Sequence, residues 1–200
     1  FCGFLCCFSY SLNFTKEFLC TIFIIDKKMN QVKFKKYKKA AFLDRDGVIN
    51  KDIGFLHRIN DLEWVEGARE SIKFLKNNGF LVVVISNQSG VGRGFYSEKD
   101  VIILHKWINK HLKKKFGVFI DDFFFSIDLP NSGRNSDRKP SPKMIFEAVK
   151  KYNLDLNQCF LIGDKASDIK TAKNAGIKGF LFKKGNLLDK VKKILQDHFN

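Results

Sequence analysis

Asp44 and Asp46 stand one residue apart at the end of the apolar run Ala40-Ala41-Phe42-Leu43, and Gly47 follows at once. In a strand, side chains at i and i+2 share a face, so both carboxylates are expected to point together from the strand's carboxyl end. Gly47 then lets the chain turn away. Like charges held this close call for a cation or a shared proton. With Mg²⁺ beside them, one carboxylate can attack phosphorus while the other hands a proton to the leaving oxygen. A solvated Asp-x-Asp turn is the plain alternative, and the rest of the chain separates the two readings.

Residues 80–85 form a second apolar run that leads into Ser86-Asn87-Gln88-Ser89-Gly90-Val91-Gly92-Arg93-Gly94. The Ser86 hydroxyl and the amides after it can hydrogen-bond phosphate oxygens, and Lys139 can supply a point charge where negative charge builds up. A third run, residues 159–162, leads into Gly163-Asp164-Lys165-Ala166-Ser167-Asp168. Asp164 completes a carboxylate metal site, and oxygen-only ligands suit Mg²⁺ better than zinc. Singly these read as polar turns and a surface lysine. Their convergence carries the weight, because ligands of open parallel sheets bind beyond the strands' carboxyl ends.

Strands and helices alternate along the chain, as that placement requires. Strands are expected at 40–44, 80–85, 123–127, 159–162 and 179–182. Helices are expected near 67–77, at 98–114 behind a Ser97 cap, after Ser141-Pro142 with the proline in first position, up to Ala175, and from Leu187 onward. Ala68, Ile72 and Leu75 share one helix face, and His105 and Trp107 read as packing and surface residues rather than ligands. The pattern predicts an α/β fold, a doubly wound parallel sheet with helices on both faces.

At 200 residues, 44% apolar and 28% charged, the chain has the composition of one soluble domain with a full core. The net charge of +15 attracts anions, but lysines such as Lys113-Lys114-Lys115 and Lys192-Lys193 are spread over several helix faces. Small phosphorylated substrates are therefore expected, and no nucleic-acid partner. Cys2, Cys6, Cys7 and Cys20 lie in the first twenty residues and Cys159 stands alone, so no disulfide framework is indicated and a reducing cytoplasm is the expected location. Residues 1–28 are Phe- and Cys-rich and are broken at Lys16-Glu17 into apolar halves too short to span a bilayer. They are read as an extension outside the native fold, with the domain at 29–200, no membrane partner, and a monomer as the simplest assembly.

In order and spacing, Asp44-x-Asp46-Gly47, Ser86, Lys139 and Gly163-Asp164-x-x-x-Asp168 resemble the motifs of the haloacid dehalogenase (HAD) superfamily of phosphohydrolases, over about residues 38–184. The resemblance implies a Rossmann-like core without a large cap. It also implies an aspartyl-phosphate on Asp44, general acid and base work by Asp46, a phosphoryl group held by Ser86 and Lys139, and Mg²⁺ on Asp44, Asp46 and Asp164. Asp46 would reach the metal through its carbonyl, and Asp168 would support the metal shell.

Asp44-Arg45-Asp46-Gly47-Val48-Ile49-Asn50, the 86–94 segment, Arg138-Lys139-Pro140 and Gly163-Asp164-Lys165 further resemble the heptose 1,7-bisphosphate 7-phosphatase subfamily, and histidinol-phosphate phosphatases share much of this pattern. That resemblance implies a phosphorylated sugar on the way to lipopolysaccharide or another surface glycan. It assigns substrate contacts to Asp52, Ile53, Gly54, Phe55, Asn87, Gln88, Ser89, Arg93, Arg138 and Lys165. The subfamily usually holds structural zinc on three Cys and one His just before Arg-Lys-Pro. Residues 126–137 contain neither residue type, so no zinc is expected and the loop must be ordered otherwise. The rival from another class is a silent phosphate- or nucleic-acid-binding module using the basic surface.

Overall fold

The computed structural model describes residues 38–133 and 135–199, so the expectation for residues 1–28 falls outside the described residues. Five apolar segments pair as one sheet: β1 (Lys38–Leu43), β2 (Leu81–Asn87), β3 (Asp122–Ser126), β4 (Leu154–Gly163) and β5 (Lys178–Leu181). Their order is β3-β2-β1-β4-β5 and every pairing is parallel. Parallel neighbours need crossover connections. These contain α1 (Ala68–Asn77), the single turn α2 (Ser89–Gly92), α3 (Glu98–Phe116), α4 (Lys143–Tyr152) and α5 (Ala166–Ala175), and α6 (Leu187–His198) follows β5.

The two-residue period of the strands sorts the core into two layers. Ala41, Leu43, Val82, Val84, Phe160 and Ile162 pack against Ile72 and Leu75 of α1, Leu104 and Ile108 of α3, and Val191 of α6. Ala40, Phe42, Val83, Ile85, Cys159 and Leu161 face the other way, onto Ile145 and Ala148 of α4 and Ala172 of α5. This is the doubly wound sheet expected from the sequence. No connection among the described residues carries a large cap domain. From β1 the chain steps outward to β2 and β3, then returns to lay β4 on the opposite side of β1. The crevice of such a sheet opens at the carboxyl ends of those two strands. No helix among the described residues is long and apolar enough to cross a membrane.

Several boundaries differ from the sequence reading. Ser86 lies inside β2, paired with Phe125, rather than after the strand. β4 begins at Leu154, because Leu154 pairs with Lys38 while Cys159 pairs with Ala40 and the residues between them bulge. Asp155 folds that bulge by accepting from the Asn157 amide at 2.9 Å and the Gln158 side chain at 3.1 Å, and the polar stretch hides the strand from a hydropathy pattern. Pro142 is the cap residue of α4 and not its first position, its carbonyl accepting from Phe146 N at 3.1 Å. Ser97 caps α3 as expected, in a reciprocal pair with Asp100.

At the end of β4, a Cβ on Gly163 would lie 2.1 Å from Cβ of Asp168. The strand end and the first turn of α5 therefore meet with no room for a methyl group. Gly163→Ala is expected to lower the unfolding free energy by about 1–3 kcal/mol in urea titration, as overpacked core substitutions do.

Candidate active site

Asp44 directly follows β1, and its amide donates to Ile162 O at 2.9 Å, which pins it to β4. Its carboxylate, 5% exposed, accepts from the Arg45 amide at 2.7 Å and from Lys139 Nζ at 2.8 Å. The same ammonium lies 2.6 Å from Asp168 Oδ1 and donates to Ile85 O at 3.2 Å. Asn87 grips the Lys139 backbone from both sides, accepting from its N–H at 2.9 Å and donating to its carbonyl at 3.3 Å. Asp168 is fully buried and also accepts from the Lys165 amide at 2.9 Å, which fixes it at the start of α5.

Burial pushes the Asp44 carboxyl up to about 7, against the pull of Lys139 and with the repulsion of Asp168 adding to it. Burial also works against the charge on Lys139, but Asp44 and Asp168 outweigh it and hold the ammonium above the ordinary lysine value. Asp164 is raised by burial, with Lys165 opposing and Asp168 adding.

Asp44, Asp164 and Asp168 bring one carboxylate oxygen each within 4.8 Å of the others. Asp164 Oδ1 is buried and has no hydrogen-bond partner. Gly47, at φ 87°, leaves space for this group, since a Cβ there would lie 2.5 Å from Asp164 Oδ2. Four carboxylates (Asp44, Asp46, Asp164 and Asp168) face the two buried cations Arg45 and Lys139, with Lys165 3.9 Å from Asp164 at the mouth, so acidic groups are in excess. A hard divalent cation fits that donor set and that charge.

Asp46 lines the same cleft, yet its carboxylate has partners of its own. It accepts from Arg45 Nε and Nη2, from Asn50 Nδ2 at 2.9 Å and from Gln88 Nε2 at 3.0 Å. Asp168, expected only to support the metal shell, is the third member of the carboxylate cluster. Arg45 is fully buried; it also donates to Leu56 O at 2.8 Å and Gln88 Oε1 at 3.1 Å, and Nη1 lies 3.4 Å from His105 Nε2. Burial, with Arg45 adding, holds His105 down to about 3, so the ring is neutral and offers its lone pair to the guanidinium. That ring stacks on Phe123 with centroids 4.2 Å apart.

The cleft has a volume of about 280 Å³. Its lining includes Asp44, Asp46, Ser86 and Lys139, with Asp52, Gly54, Phe55, Asn87, Gln88, Ser89, Arg138 and Lys165. Lys165 reaches Asp52 at 2.8 Å, and Asp52 in turn accepts from the Gly54 amide at 3.0 Å. Gln88 lies deep, donating to Ser86 Oγ at 2.7 Å and accepting from Tyr96 at 2.9 Å. Ile53 and Arg93 are outside the lining, whereas Tyr96 and Ser167, not singled out in the sequence, belong to it. Arg45 was legible in principle. As a charged residue between an apolar strand and Val48-Ile49, it has to be either solvated or paired in the core.

The HAD-hydrolase-like family model matches residues 136–196, a span that contains Lys139, Asp164 and Asp168. The D-glycero-alpha-D-manno-heptose-1,7-bisphosphate 7-phosphatase of Photorhabdus laumondii is 43% identical over 155 residues, covering 74% of this chain and 84% of that protein. The D-glycero-beta-D-manno-heptose-1,7-bisphosphate 7-phosphatase of Haemophilus ducreyi is 37% identical, covering 70% and 80%. Among solved structures, a D,D-heptose 1,7-bisphosphate phosphatase from B. bronchiseptica, complexed with magnesium and phosphate, superposes with a TM-score of 0.73 at 26% identity over 80% of this chain and 99% of that one. Carboxylates and a buried lysine at the carboxyl edge of a doubly wound sheet, together with relatives of this similarity and coverage, mean that the chain belongs to the heptose-bisphosphate phosphatase family of HAD-type phosphohydrolases.

Proposed function

We propose that the chain removes the 7-phosphate of D-glycero-D-manno-heptose 1,7-bisphosphate, with Asp44 as nucleophile and Asp46 as general acid and base. The observation that carries the reading is the buried Asp44–Lys139 pair at 2.8 Å, lying in a cleft that Arg138 also lines. An Asp44 oxygen attacks phosphorus, the bond to the sugar oxygen breaks, and that oxygen takes a proton from Asp46. Water then gives a proton to Asp46 and attacks the aspartyl-phosphate, breaking its bond to Asp44 and releasing inorganic phosphate. The Ser86 hydroxyl keeps its own proton to donate to a non-bridging oxygen, and the Lys139 ammonium, already paired with Asp44, Asp168 and Ile85 O, would act there through its charge, where negative charge accumulates. Arg45, Asn50 and Gln88 orient Asp46.

Asp44, Asp164 and the carbonyl of Asp46 would hold Mg²⁺, which when bound neutralises charge on the phosphoryl oxygens. Asp168 would anchor Lys139 beside that shell. At about 280 Å³ the cleft is of a size for a small phosphorylated sugar. A cytoplasmic monomer without zinc accords with this reading.

Phosphate release measured with Mg²⁺ across heptose 1,7-bisphosphate, histidinol phosphate and common sugar phosphates is expected to favour the heptose strongly. Asp44→Asn should lower that release by about a thousandfold or more, because no neighbouring group can replace the nucleophile. Preference for another phosphate ester would keep the chemistry and discard the heptose.

EDTA should abolish release and Mg²⁺ restore it. Asp164→Asn should raise the Mg²⁺ concentration needed for half-activation by about tenfold or more, since the charged ligand becomes neutral. An unchanged requirement would remove Asp164 from the metal site.

Arg45→Met strips donors from Asp46, Leu56 O and Gln88 at once. Breaking a buried ion pair on one side should lower the unfolding free energy by about 3 kcal/mol or more. Urea titration beside kcat should show both falling.

A further inference from the structure

Arg138 reaches the cleft from a segment, 127–142, that has no regular secondary structure among its described residues. Such a segment holds a side chain in place only if its own polar groups are tied down. Here the ties cross the loop from one end to the other and join it to Gln88. Ser126 ends β3 almost fully buried, and its carbonyl accepts from the Gln88 amide at 2.7 Å, which joins it to the floor of the cleft. Its hydroxyl accepts from the Asp128 amide at 3.2 Å. One oxygen of the Asp128 carboxylate then accepts twice from the far end of the loop, from Ser136 Oγ at 2.6 Å and from the Asp137 amide at 2.9 Å.

Ser136 Oγ passes the connection on by accepting from the Arg138 amide at 3.0 Å. The Arg138 guanidinium folds back to donate to the Asp128 carbonyl at 3.2 Å. Both the backbone and the side chain of Arg138 are therefore referenced to Asp128. These donors, Ser136 first, hold the Asp128 carboxyl below the usual carboxylate range, and a charged acceptor makes the stronger hydrogen bonds.

We infer that Asp128 is a positioning residue for substrate discrimination: its carboxylate, acting through Ser136, closes the loop and holds Arg138 where it grips the anionic end of the substrate remote from the phosphorus under attack. This rests on the bisphosphate reading. A planar guanidinium matches a second phosphate only when its direction is fixed.

The test compares heptose 1,7-bisphosphate with p-nitrophenyl phosphate, which has no second anionic group. In Asp128→Ala, KM for the bisphosphate should rise about tenfold with kcat little moved, so that discrimination between the two substrates falls by the same factor. Asp128→Asn keeps an oxygen that can accept from Ser136 and Asp137, and should restore most of that discrimination. Asp128→Ala with Arg138→Ala should be no worse than Arg138→Ala alone. Equal losses on both substrates, or additive losses in the double variant, would overturn the inference. If the wild-type chain shows no preference for the bisphosphate, the substrate reading fails, and amide exchange decides on Asp128 separately. Protection at Asp137 and Arg138 should be lost in Asp128→Ala and kept in Asp128→Asn, and protection unchanged in Asp128→Ala would overturn the positioning role.

Discussion

A lysine ammonium is clamped between two buried carboxylates, and the rest of the site is arranged around it. Lys139 lies 2.8 Å from Asp44 and 2.6 Å from Asp168, with all three side chains almost without solvent. Such a cluster is costly, because each ion has given up its hydration and geometry alone recovers the loss. The fold provides that geometry from separate elements. Asp44 comes from the end of β1, Asp168 from the first turn of α5, and Lys139 from the loop before α4. The two apolar layers of the sheet hold these elements in register, so the electrostatic requirement is met by packing at a distance.

The compensation is incomplete by design of the arrangement. Asp164 has a buried oxygen without a partner, and the carboxylates outnumber the buried cations by two. A protein that only had to be stable would neutralise these groups. Leaving charge unsatisfied is what a site does when a cation and a phosphoryl group are to complete it. The two aspartates of the first motif have different surroundings. Asp44 faces one ammonium in a water-poor floor, while Asp46, past the strand end, is turned among the N–H groups of Arg45, Asn50 and Gln88. These donors fix where the Asp46 carboxylate stands, whereas Asp44 is held by its backbone tie to β4 and by Lys139.

The sheet, its two layers and the rim bearing Asp44, Ser86, Asp164 and Asp168 were legible in the sequence, because period-two apolar runs and the glycine turns after them are local signals. What was not legible depends on distant partners. Arg45 stood in the sequence only as part of the Asp44–Asn50 motif; that a charge there must be solvated or paired could be read, but not its partners, which include His105, 60 residues along the chain. Gln88 lines the cleft, and that its side-chain amide also donates to Asp46 and Ser86 could not be read from the sequence. Tyr96 gave no signal, since its value lies in a hydroxyl that meets Gln88 only after folding. The lack of Cys and His in 126–137 told which ligands could not order that loop, whereas the ties made by Asp128 required knowing that residues eight to ten positions apart would meet.

The adjacency of Arg138 and Lys139 joins two regimes of rigidity. Lys139 belongs to the floor, where Asn87 holds its backbone and two carboxylates hold its ammonium. Arg138, one residue earlier, belongs to the mouth, where it is half-buried and referenced to Asp128 and Ser136. The guanidinium and the ammonium thus answer to different partners, Asp128 and Ser136 in one case and Asn87, Asp44 and Asp168 in the other. On the proposed reading, chemistry at the phosphorus and recognition of the distant end of the substrate would be set by separate hydrogen-bond systems on neighbouring residues. On that reading, a loop tied down by Asp128 can stand before Arg-Lys-Pro while Asn87, Asp44 and Asp168 keep their own hold on Lys139.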